Sequence, residues 1–164
     1  MKKHPIVIMV FLLFLCMPFS QRANRANIVQ NIPEHNLISE KELKCLAENI
    51  FYEAPAEPYL GKLAVAVVTM NRVRHKQFPK TICGVVYQRN SRGCQFSWTC
   101  GPKTRFNQHA YDQSLEIAKQ VLTNDLHIVS LDNALYFHNT SIQPNWTFAK
   151  RIVQIGNHIF YSTI

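Results

Sequence analysis

The chain has 164 residues, 47% of them hydrophobic and 17% charged, a balance that excludes a disordered polymer and fits one globular domain with an N-terminal extension. The formal charge is +8, but Lys2, Lys3, Arg22 and Arg25 supply four of these charges, leaving +4 for a domain that starts after them. So small an excess, with no Lys/Arg stripe interleaved with aromatics, argues against nucleic-acid binding; it suits some other anionic polymer or simply solubility.

Lys2-Lys3 and the nearly unbroken apolar run Ile6 to Phe19 have the n-region and h-region of a secretory signal. The run is short for a spanning helix, which needs roughly 20 apolar residues, and Pro18 interrupts it. Residues 1–20 are therefore expected to be a signal peptide. The following Ser20-Gln-Arg-Ala-Asn-Arg has no clean small-x-small cleavage site, so an uncleaved membrane anchor is the alternative. Residues 21–36 are polar and broken by Pro33, which predicts a linker, and residues 37–164 form the expected folded domain. Export would place that domain in the periplasm, the cell wall or the medium.

Ser39-Glu-Lys-Glu42 has the form of a capping box, and Leu43, Leu46, Ala47, Ile50 and Ala54 recur at helical spacing, which predicts a helix over Glu40–Glu53 stopped by Pro55. Glu53 then falls in the last turn, where free carbonyls disfavour a carboxylate, and it lies between two apolar segments that desolvate it. Both effects predict a carboxyl that keeps its proton to unusually high pH. Pro58 can open a second helix, Tyr59 to Val73, apolar nearly all round and hence a buried core helix. Residues 74–105 read as a long, loop-rich region. Asn107 can cap a third helix with Ala110, Ser114, Ile117, Ala118, Val121 and Leu122 on one face. The remainder turns β-like over Ala134–His138, Phe148–Ile152 and His158–Tyr161, with a turn at Gly156-Asn157.

Cys16 lies in the leader, leaving Cys45, Cys83, Cys94 and Cys100, an even number in an exported domain and so disulfide candidates. Three connectivities are possible. Cys45–Cys83 with Cys94–Cys100 is favoured, since the latter closes a short loop with Gly93 and Gly101 at its edges.

Five ordered blocks now carry a resemblance. They are Cys45-Leu-Ala-x-x-Ile-x-Tyr-Glu53-Ala-x-x-Glu57-Pro-x-x-Gly61 leading to Asn71-Arg-Val; Phe78-Pro-x-Thr-Ile-Cys-Gly-Val-Val-Tyr87-Gln; Cys94-Gln-Phe-Ser-Trp98; Ala134-Leu-Tyr-Phe-His138; and Gly156-x-His-x-Phe-Tyr161. Together they closely resemble the SleB-type cell-wall hydrolase family, also called spore-cortex-lytic enzymes, over nearly the whole domain. The resemblance implies an α+β, lysozyme-like fold, mainly helical with a small antiparallel sheet or hairpin. It also implies a peptidoglycan lytic transglycosylase cutting between N-acetylmuramic acid and N-acetylglucosamine, with the glycan strand as partner. Its catalytic glutamate falls on Glu53, the residue singled out above by position and burial. Where the family has an Arg-Gly pair between its two glutamates this chain has Pro55-Ala56, which removes any salt link or tight turn made there.

The remaining polar and aromatic residues of the blocks are candidates for substrate binding: Glu57, Asn71, Gln95, Ser97, Tyr136 and His138, with Trp98 as a further apolar face. Each has a structural alternative. Glu57 can serve the dipole of the second helix, Asn71 can cap a buried loop, and Phe96 and Trp98 can simply fill core. Glu48 reads as a solvated charge. His138 and His158 come with no metal-binding motif, so no metal and no cofactor are expected, and a monomer is. The competing activities are an N-acetylmuramoyl-L-alanine amidase, a cysteine peptidase pairing Cys100 or Cys45 with His138, and an inactive wall-binding module, the last favoured by Pro55-Ala56.

Overall fold

A computed structural model describes residues 39–91, 93–103, 105–124 and 126–164. The expected signal segment and linker lie outside these residues.

Helix α1 runs Glu40–Glu53, with the bounds that periodicity and Pro55 predict. Its buried stripe includes Leu46, Ala47 and Ile50, all fully inaccessible. The Ser39 capping box does not form: Ser39 makes no side-chain cap. Glu42 reaches instead across the fold, where its Oε2 accepts from the backbone N–H groups of Ile82 (2.5 Å) and Cys83 (3.3 Å). Those amides open the short helix α3, Ile82–Val86, so a tertiary partner with two free donors outcompetes a local cap with one.

Helix α2 runs Tyr59–Arg74, with Pro58 as its N-cap rather than its first helical residue. Its buried residues run without a break from Gly61 to Thr69 and take in even Lys62 and Arg72. It packs against α1, α3 and α4, which is why its sequence is apolar on every face. Burying a Leu or Val side chain there is worth about 1.5–3 kcal/mol each. Asn49 and Thr69 join α1 to α2 through a 3.0 Å bond from the Asn49 amide to the Thr69 hydroxyl.

The stretch that reads as loop holds more structure than expected. Besides α3 it forms a two-residue hairpin, β1 (Arg89–Asn90) with β2 (Gly93–Cys94), and a 3₁₀ turn at Ser97–Thr99. These elements are too short to give a period, and disulfides anchor them. Cys45 is bonded to Cys83, tying α1 to α3, and Cys94 to Cys100, both as favoured from the sequence.

Helix α4, Gln108–Asn124, buries Ser114, Ile117, Ala118 and Val121, and the Asn107 side chain caps it by accepting from the Ala110 N–H at 2.9 Å. The chain ends in an antiparallel sheet ordered β3-β5-β4, of strands β3 (Tyr136–Asn139), β4 (Ala149–Ile155) and β5 (His158–Thr163). Gly156, at φ +58°, makes the β4–β5 turn, a conformation open to glycine at no steric cost. Phe137 and Phe160, paired across β3 and β5, share one face, and the fully buried Phe160 joins it to the helical core.

Candidate active site

Glu53 ends α1, and the chain leaves through Ala54, whose N–H bonds the Ile50 carbonyl. Burial pushes the Glu53 carboxyl up from an ordinary glutamate value to about 7, against an opposing pull from the positive charge of Arg72. Desolvation is the larger effect. Arg72 is 3% exposed and lies in the last turn of α2; burial lowers its guanidinium to about 10, still charged at neutral pH, while Glu53 and Tyr136 pull it upward. Its Nε donates to the Leu135 carbonyl at 2.8 Å, and its guanidinium lies 5.1 Å from the Phe96 ring centre and 5.5 Å from that of Phe78.

The sequence assigns Arg72 no role. Its signal was there, in an Arg within an otherwise apolar helix, but charge at a helix end usually means solvent. Only the fold shows this one to be buried, with its charge acting on Glu53.

Glu57 has a different environment. It is 7% exposed, and both carboxylate oxygens accept from the Asn157 N–H at the β4–β5 turn, at 3.2 and 3.1 Å. A Cβ on Gly156 would clash with Glu57 Oε2, and one on Gly61 would lie 2.7 Å from it. The two glycines therefore make room for this carboxylate, which pins the sheet's turn to the start of α2. Asn71 is likewise committed to structure: its amide donates to the carbonyls of Leu131 (2.7 Å) and Ala134 (3.0 Å). That is its expected alternative, the cap of a buried loop.

Trp98 is 7% exposed, stacks on Tyr52 with ring centres 4.5 Å apart, and donates from Nε1 to Asn49 Oδ1 at 3.3 Å. Both contacts tie it to the last turns of α1. Ser97 is exposed at the start of its 3₁₀ turn, and Gln95 is half-buried with its backbone N–H on the Gln88 carbonyl. Glu48, expected to be solvated, accepts a short hydrogen bond from the Tyr87 hydroxyl.

Tyr136 and His138 project from the outer face of the sheet, where Tyr161, Trp146 and Phe148 join them. Ring centres lie 5.3 Å apart for Tyr136–Phe148 and for His138–Tyr161, and 5.4 Å for Trp146–Tyr161. His138 Nδ1 is 2.8 Å from the Asn139 carbonyl oxygen and so carries a proton; in the neutral ring, Nε2 then accepts from the Tyr161 hydroxyl at 2.8 Å. Alternation along paired strands puts His158 on the opposite, core-facing side, and burial lowers its pKa. The two histidines therefore do not converge on one ligand. Trp146, Phe148 and Tyr161 are members of this aromatic face that single residues in sequence do not announce, because a loop and two strands assemble it.

A surface hollow between the starts of α2 and α4, lined by Glu57, Tyr59, Lys62, His109, Asp112 and Glu116 among others, does not include Glu53. A second, lined by Asn71, Arg74, Asp132 and Leu135 among others, does not either.

A carboxyl poised near neutral pH at a helix end, a buried cation whose charge acts on it and a small aromatic-faced sheet on a helical core are the equipment of a general-acid enzyme. Residues 56–161 match the cell wall hydrolase family model, a span that begins just after Glu53. The chain belongs to the cell wall hydrolase family. It is 30% identical over 133 residues to a spore cortex-lytic enzyme of Bacillus cereus, covering 79% of this chain and 47% of that one. A spore cortex-lytic enzyme of Bacillus subtilis is 29% identical, covering 74% and 38%. The chain thus spans less than half the length of these relatives. Among solved structures, the catalytic domain of Bacillus cereus SleB superposes with a TM-score of 0.59 at 30% identity, covering 77% of this chain and 94% of that domain. The catalytic domain of SleB from Bacillus anthracis, a germination-specific lytic transglycosylase, gives 0.57 at 28% identity, covering 77% and 98%. The α+β architecture is accordingly that of the SleB catalytic domains.

Proposed function

We propose that this chain is an exported peptidoglycan-cleaving enzyme that breaks the bond between N-acetylmuramic acid and N-acetylglucosamine as a lytic transglycosylase, with Glu53 as its one acid and base. The observation that carries this reading is the Glu53 carboxyl, raised to about 7 by burial at the end of α1. Protonated, it donates to the glycosidic oxygen as the bond to C1 breaks. As carboxylate it then takes the proton of the muramic C6 hydroxyl, whose oxygen closes on C1 to give a 1,6-anhydro sugar. A two-carboxylate hydrolysis would need a second acid roughly 5–9.5 Å away, and Glu57, the sequence's one candidate, is engaged by the Asn157 amide. The similarity to the Bacillus anthracis SleB domain favours the same reaction.

The aromatic face around Tyr136 and His138 offers rings on which sugars can stack, and Ser97 and Gln95 are placed within reach of solvent for their polar groups. The substrate is the glycan strand, and the disulfides suit an oxidising compartment outside the cytoplasm.

Digestion of purified cell walls tests the reading. Glu53→Gln is expected to abolish the fall in turbidity while the protein stays folded, and mass spectrometry of wild-type digests is expected to show anhydro-muramic ends. Full activity in the variant, or free stem peptides as the product, would overturn it.

A further inference from the structure

Arg72 presents an oddity that the fold does not require. Its guanidinium is buried and held on three sides, by the Leu135 carbonyl and by the faces of Phe96 and Phe78, yet its Nη1 has no hydrogen-bond partner. Leaving a buried charged donor unsatisfied is among the costlier defects a fold can carry. A purely structural cation would be expected to satisfy that nitrogen, or to be replaced by an apolar side chain in a helix otherwise buried on every face. The residue stands in the last turn of α2, and the charges that act on it are those of Glu53 from α1 and Tyr136 from β3.

We propose that Arg72 is a positioning residue for the reaction of Glu53: its fixed, half-satisfied guanidinium is held ready for the carboxylate that appears once Glu53 has given up its proton. The inference rests on the reading of Glu53 as the acid. In the resting acid the carboxyl is neutral and asks little of Arg72. As the proton moves to the glycosidic oxygen and the C1–oxygen bond breaks, negative charge develops on Glu53, and a preoriented cation in a water-poor site stabilises it with no reorganisation. The same charge holds Glu53 ionised until the C6 hydroxyl proton returns to it. Phe78, Phe96 and the Leu135 carbonyl keep the guanidinium from swinging to solvent, so its charge stays fixed in place.

Among the described residues, Arg72 is the titratable group whose charge acts on Glu53. Replacing it by the neutral Arg72→Gln should raise the alkaline limb of the pH–rate profile by roughly one unit. It should also lower kcat about tenfold or more with KM little changed, as expected for an interaction made only on the way to the transition state. Arg72→Lys should restore much of both. An alkaline limb that stays in place in folded Arg72→Gln would overturn the proposal, while leaving Glu53 as the acid if Glu53→Gln is dead. Should Arg72→Gln not fold, the wild type decides: the guanidinium resonances of Arg72, followed by nitrogen-15 NMR, should shift with a midpoint near the Glu53 value of about 7 and lie flat in Glu53→Gln. Resonances that do not respond in the wild type would overturn it equally.

Discussion

The half-buried, desolvated acid should cost the fold stability in a defined pH window. The Glu53 carboxyl is raised from 4.5 to about 7 in the folded protein, so between those values the native state holds a proton that the unfolded chain releases. Stability linked to this group is fully present below about pH 4.5 and is lost as pH rises through about 7. At 1.36 kcal/mol per unit, the loss is ~3 kcal/mol in all, an upper figure if water reaches the ionised group. Glu53→Gln cannot ionise and escapes this loss. Urea unfolding of both proteins by circular dichroism, disulfides intact, should show the gap between them moving in the variant's favour by ~3 kcal/mol from about pH 4 to about pH 8, whatever its starting value. The buried charge of Arg72 adds an offset that is constant across this range, because its own titration lies near 10. Parallel stability curves would refute the reasoning, for they would mean that Glu53 titrates as a solvated glutamate.

Other consequences are as direct. Wall-lytic activity of the wild type should decline as pH rises past about 7, where the acid loses its proton; a profile still flat at about pH 9 would exclude Glu53 as the acid. Glu57→Gln should cost about 1–2 kcal/mol in stability, by weakening a charge-assisted bond to the sheet's turn, yet leave turbidity loss within a few-fold of wild type. Loss of activity with unchanged stability would make Glu57 part of the chemistry. Gly156→Ala should destabilise by roughly 2 kcal/mol in denaturant titrations, since it forces a side chain into a left-handed turn and against Glu57. Replacing Cys45 and Cys83 by Ala should lower stability by up to ~4 kcal/mol from the loop of 38 residues they close.

Particular residues show what could be read in advance. The bounds of α1 followed from a 3.6-residue repeat and Pro55, and Asn107 announced α4, because capping and periodicity are local and survive without a tertiary context. Glu53 was legible for the same reason: its place at a helix end between apolar segments is a property of its neighbours in sequence. Glu42 misled, since the pattern Ser-x-x-Glu does not reveal that free amides at Ile82 and Cys83 compete for the same carboxylate. The substrate candidates divided on similar grounds. Asn71 and Glu57 are occupied by backbone groups about 60 and 100 residues away, and nothing near them in sequence foretells that.

The sequence by itself thus determined the three long helices and the family, and favoured one cysteine pairing and Glu53 as the candidate acid, because each depends on spacing along the chain or on a sum of matched positions. Tertiary structure alone decided what surrounds Glu53 and the other candidates: that the buried charge of Arg72 acts on Glu53, that Glu57 holds a turn, and that Tyr136, His138, Trp146, Phe148 and Tyr161 form one face. Desolvation and charge act through space over a few ångströms, so the environment of a carboxyl is set by which elements pack together, and no local pattern encodes that.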